Sequence, residues 1–185
     1  MLLNIKHPHD IILVDIVSTV IGVIRKISVL LCDNSKTSGR FVLIQNEGIK
    51  ATIISTKIGV VPEKKNEKYQ QLSLESAKRL QLHPEHWTSY ESRKPKEWTV
   101  PDESQDSERY EIKPWGQWGG AVRGEDLIFS FSGFPELSEE EAELWSEAAM
   151  FVAAIILKQL DKEEVLSKIN EERNPFLRPS LKVCV

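Results

Sequence analysis

Between residues 11 and 31 apolar side chains return every three or four positions, at Ile12, Ile16, Val20, Val23, Ile27 and Leu30, while Asp15, Ser18, Thr19, Arg25 and Lys26 fall largely between them. That period belongs to an α-helix with one apolar face, and Asp10 just ahead of it is a candidate N-cap. A membrane-spanning helix needs ~20 uninterrupted apolar residues, and Asp15, Arg25 and Lys26 interrupt this stretch. The helix is therefore expected to bury its stripe in a protein core. Its many β-branched residues lower its intrinsic helicity, so packing has to hold it. A signal peptide is not expected, because no basic start leads into an apolar block with a small-residue cleavage site.

Past a loop at 33–39 the period shortens. Phe41-Val42-Leu43-Ile44 is a short apolar run, Asn46-Glu47-Gly48 supplies a residue able to take positive φ, and 49–58 alternates loosely. This predicts a β-hairpin. A second helix is expected over 67–82, with Leu72, Ser76, Ala77 and Leu80 on or near one face. His83-Pro84 ends it, since a residue before proline is pushed out of the helical region. A second hairpin is read from 115–122, a turn at 123–126 and a strand at 127–132. Ser138 and Glu141 then form a capping box that opens a helix to about residue 160, carrying Ala142, Trp145, Ala148, Ala149, Val152, Ala153 and Ile156 as a broad stripe. A more polar helix over 161–173 stops at Asn174-Pro175, and the tail 174–185 reads as an added edge strand or as disordered.

These elements predict one α/β (α+β) domain over 1–185, an antiparallel sheet of two hairpins flanked by helices on both faces. Its core is expected to hold Ile16, Val20, Ile44, Phe129, Trp145, Ala149 and Val152. A chain of 185 residues can bury such a core without metals or disulfides. The formal net charge of −4 offers no field for phosphate backbones or anionic lipid, so neither nucleic acid nor membrane is an expected partner. The two cysteines, Cys32 and Cys184, fit neither a zinc spacing nor a disulfide framework. A cytoplasmic location is the expectation that follows.

Two groups of residues are candidates for a site. In 115–120 the tryptophans Trp115 and Trp118 alternate with Gly116, Gly119 and Gly120, and Arg123 follows. Glycine lets a backbone approach another group closely and tryptophan offers a flat apolar surface, so the segment can line a pocket or plug one end of the core. His83 and His86 stand three apart at the start of 83–113, a long polar insertion or lid-like loop. They are candidate ligand contacts, but no further donors are identifiable and no metal is assigned. Glu139, Glu140, Glu141 and Glu143 read as negative charge favoured at a helix start. Neither a phosphate loop nor a Gly-x-Ser-x-Gly turn occurs around Ser132-Gly133, and no catalytic residue is assigned.

The order helix, hairpin, helix, long loop, hairpin, helix resembles the GlcG-like family, which includes haem-binding proteins and the C-terminal domain attached to some cobalamin adenosyltransferases. The resemblance rests on Val42-Leu43-Ile44-Gln45-Asn46-Glu47-Gly48, on Ser76-Ala77-Lys78, on Gly119-Gly120, on Phe131-Ser132-Gly133, and on the acidic helix start 139–143 followed by alanines. It covers about 11–160 and implies an antiparallel sheet with helices on both sides, often assembled into oligomers. Two functions are then expected. One is a small-molecule-binding domain without evident catalytic machinery, for a planar ligand such as haem or a corrinoid, bounded by Trp115, Trp118, Gly119, Gly120, Arg123, His83 and His86. The other is a homo-oligomeric assembly module, in which Trp87, Trp98, Trp115, Trp118, Phe176 and Leu177 supply contact surface. An enzyme is the weaker third reading, kept because long loops over a sheet often form lids.

Overall fold

In the computed structural model, which describes residues 8–31, 38–47, 50–91 and 118–185, the run Phe41-Val42-Leu43-Ile44 is apolar at every position because its strand is covered on both faces. That strand, β1 (Gly39–Glu47), pairs with β2 (Lys50–Ile58) on one side and with β4 (Leu127–Gly133) on the other, and β4 pairs with β3 (Gly120–Arg123). The sheet order is β2-β1-β4-β3 with every pairing antiparallel. Phe41 lies opposite Phe131 and Leu43 opposite Phe129, while Val42 meets Ser130 and Ile44 meets Ile128. Strand alternation sends these two sets to opposite faces.

One face, with Phe41, Leu43, Phe129 and Phe131, shares a core with α1 (Pro8–Leu30), α3 (Glu139–Ile156) and α5 (Leu177–Cys184). The other face, with Val42, Ile44, Ala121 and Ile128, packs on Ala77 and Leu80 of α2 (Glu63–Leu82). The architecture is thus the expected α+β arrangement of helices on both faces of an antiparallel sheet. All seven residues expected in the core are buried. Ile44 lies under α2, whereas the other six lie in the larger cluster, because its parity in β1 differs from that of Leu43. Among the described residues no helix is long and apolar enough to cross a membrane.

Close approach of α3 to the sheet depends on Gly120. A Cβ there would sit 2.3 Å from Ser146 Cβ and 2.6 Å from the Ser146 carbonyl carbon. Gly120→Ala should therefore push α3 off β3 and lower stability by about 1–3 kcal/mol, read from the urea midpoint. An unchanged midpoint would mean that α3 is free to shift.

Several boundaries depart from the sequence expectations. Asp10 lies inside α1, which starts at Pro8, and α2 starts at Glu63. Ser138 does cap α3, accepting from the Glu141 N–H at 3.3 Å and donating to Glu141 Oε2 at 2.9 Å. The helix ends at Ile156, and Lys158 takes a positive φ of 58°. The helix expected over 161–173 is only α4 (Lys162–Lys168), capped by the Asp161 side chain. The tail is neither an edge strand nor disordered. It forms α5, because Leu177, Leu181 and Cys184 recur at helical spacing and are buried against the larger core. The turn around Gly48, and residues 92–117 with Trp98, Trp115 and Gly116, lie outside the described residues.

Candidate functional site

Beyond Gly133 the chain must leave β4 and enter α3, and it does so through Phe134, which holds a positive φ of 60° while fully buried. A bulky side chain in the left-handed region is a strained arrangement of the kind that clusters at functional sites. Phe134 packs edge-to-face on Phe131 and forms one wall of a cavity of about 190 Å³. Lys65, Lys68, Tyr69 and Leu72 of α2 line one side, and Glu139, Ala142, Glu143 and Ser146 of α3 the other. Gly119, 132–135 and Leu137 complete it. An ion pair from Lys68 Nζ to Glu139 Oε1, 2.8 Å long and half-exposed, joins the two helices beside the cavity, and Lys65 Nζ donates to the Pro135 carbonyl.

Glu143 is the dominant polar group of this cavity. Its Oε1 accepts from the backbone N–H groups of Trp118 at 2.9 Å and Gly119 at 3.3 Å. Gly119 itself takes φ 67°, so the chain turns sharply just after these two consecutive donors. Burial pushes the Glu143 carboxyl up to about 7, against the pull of those two donors. Neither bond uses Oε2. Ser132 also lines the cavity, but its hydroxyl is buried away from any accessible surface and has no hydrogen-bond partner among the described residues. Burial, aided by Glu136, raises the Tyr69 hydroxyl to about 12, so it remains a neutral phenol at physiological pH. The Trp118-Gly119 peptides are fixed from the far side, by Arg79 donating to the Trp118 carbonyl at 2.9 Å and Ser89 Oγ donating to that of Gly119 at 2.7 Å.

The residues singled out in the sequence fall into two groups that do not meet. Gly119 borders the cavity and Gly120 lies under α3. Trp118 is buried, in edge-to-face contact with Tyr90 and 5.4 Å from the guanidinium of Arg173. Arg123 stands at the other end of β3, where it donates to the carbonyls of Leu80, His83 and His86 and so secures the C-terminal end of α2. His83 and His86 stack with ring centroids 5.1 Å apart beside Glu85. From Lys68 to His83 along α2 is roughly 22 Å at the helical rise. Trp115 lies outside the described residues.

A second buried carboxylate, Glu147, sits one turn after Glu143 and bonds Arg173 at 2.6 Å and Asn174 Nδ2 at 2.8 Å. It ties α3 to the turn after α4. The aromatic surplus behind the assembly reading is partly absorbed in the same region: Trp87 lies under Lys168 and Phe176 stacks on Trp145.

Comparison with protein-family models, curated proteins and solved structures gives no match.

Sequence reasoning passed over Glu143 by assigning it to the helix dipole and set no expectation on Glu147 or Tyr69. One signal was available: from Trp145 to Ala154 α3 carries apolar or small residues on nearly all sides, the pattern of a helix buried all round. A glutamate within or beside such a stretch is a buried carboxylate.

Proposed function

We propose that this chain is a small-molecule-binding domain whose site is the cavity between α2 and α3. The observation that carries the reading is one buried carboxyl, Glu143, held by two backbone N–H groups at a cavity that Leu72, Phe134, Leu137 and Ala142 also wall. A few convergent polar groups and a shifted carboxyl in a concave site are the general marks of ligand recognition. The volume of about 190 Å³ exceeds only modestly a ~150 Å³ cavity that holds benzene. The ligand is accordingly one ring in size, with an N–H donor for Glu143, as in nitrogen heterocycles and cyclic amides. The GlcG-like resemblance supports a ligand-binding role, but a haem or corrin ring exceeds this cavity.

The test is a panel of single-ring heterocycles and cyclic amides, screened by thermal shift and mapped by amide chemical-shift changes. Binders should perturb 119, 132–135 and 142–146. Glu143→Gln should weaken them about tenfold or more, the scale of one lost hydrogen bond to a buried polar or charged group. No saturable binder, or binders that map elsewhere and ignore Glu143→Gln, would overturn the proposal.

A further inference from the structure

We propose a second site, independent of the cavity: His83, Glu85 and His86 together bind one borderline divalent cation of the zinc class. His83 Nδ1 lies 3.2 Å and His86 Nε2 3.6 Å from Glu85 Oε1, and the donor atoms of the three residues fall within 4.8 Å of one another. A tetrahedral zinc with ligands at ~2.0–2.1 Å separates its donor atoms by about 3.4 Å. The two spacings to Glu85 bracket that value, and rotation of the stacked imidazoles, now 20° from parallel, would aim both ring nitrogens at one ion. On a continuous helix Pro84 would spoil this geometry. Here His83 ends α2, and a turn closed by the His86 N–H on the His83 carbonyl at 3.0 Å brings the rings together.

Arg123 supplies the rigidity. Its Nε donates to the His86 carbonyl at 3.0 Å and its Nη2 to the His83 carbonyl at 3.1 Å, so the backbone carrying both imidazoles is fixed to the end of β3. Such preorganisation lowers the entropy a metal must otherwise remove. The side chains of His83 and Glu85 are 49% and 61% exposed, so a cation can enter from solvent. Two imidazoles and one carboxylate favour zinc, nickel or copper over magnesium or calcium. Three protein donors leave a fourth position for water or an exogenous ligand.

The chain has four histidines, His7, His9, His83 and His86. Zinc chloride is titrated calorimetrically into the full chain carrying His7→Ala and His9→Ala, which removes the other two as competing donors. One equivalent should bind, cobalt should give the visible absorption of a tetrahedral site, and magnesium should give no saturable heat. His83→Ala or His86→Ala added to that background should weaken zinc binding tenfold or more, and Glu85→Gln, the mildest change, should weaken it while leaving the circular dichroism unaltered. Zinc binding that survives in the folded His83→Ala/His86→Ala protein, or no saturable binding by the parent at millimolar zinc, overturns the site.

Discussion

Replacing Arg173 by methionine is expected to lower the free energy of unfolding by about 3–5 kcal/mol at pH 8, the usual cost of stranding one member of a buried ion pair. The Glu147 side chain is 0% exposed, and Arg173 is its only cationic hydrogen-bond partner among the described residues. The guanidinium lies over the Tyr90 ring, 3.3 Å from its centroid, so the variant also loses that contact. Burial already raises the Glu147 pKa, with Arg173, Asn174 and Thr88 pulling it down. Without Arg173 the carboxyl is pushed up further. A group whose folded pKa lies above its unfolded value binds its proton more tightly when folded, so the variant loses stability as pH rises. The deficit should be clearly smaller at pH 5 than at pH 8 in urea unfolding. Adding Glu147→Gln, which removes the charge and keeps an acceptor for Asn174, should recover much of it. A deficit that is equal at both pH values would mean that Arg173 acts by packing alone.

Glu143→Gln is expected to stabilise the protein by about 3 kcal/mol above pH 7 and to change little near pH 4, on the scale of 1.36 kcal/mol per pKa unit. Below the unfolded value of 4.5 the glutamate is protonated in both states. Between 4.5 and about 7 the folded protein holds the proton and the unfolded chain does not, so stability falls as pH rises through that window and levels off above it. Glutamine mimics the neutral acid and still accepts from Trp118 and Gly119 through its amide oxygen. Glu147 adds a slope of the same sign in both proteins, so the difference between the two stability–pH curves isolates Glu143. Superimposable curves would remove the buried, half-titrating carboxyl from the site. A stabilising change that also weakens ligand binding is the trade-off expected where a binding group is held at a cost to the fold.

Much of the fold was legible because it is written in local periods. The apolar spacing of α1 and α3, the short apolar run Phe41 to Ile44, and the Ser138 cap all act within a few residues, and each produced the element that it predicts. The tail failed as a reading because Leu177, Leu181 and Cys184 make a single short stripe, whose partner surface on α1 and α3 is more than a hundred residues away or formed by another helix. The site was less legible still. Gly119 and Gly120 were found by their composition, and their roles differ: one donates its N–H to Glu143 and turns the chain beyond it, the other admits Ser146.

Sequence alone determined that this chain builds an antiparallel sheet covered by helices on both faces, since hydrophobic period and capping chemistry depend only on neighbours along the chain. Tertiary structure alone decided what its charged residues do. Glu139 and Glu143 are one turn apart on the same acidic helix start, yet the first is half-exposed in an ion pair with Lys68 and the second is buried at about 7 in its pKa. Arg123, a candidate ligand contact in the sequence, holds the end of α2 through three backbone carbonyls. The free energy of a charge is set by the dielectric and the partners that surround it, and those come from segments remote in sequence.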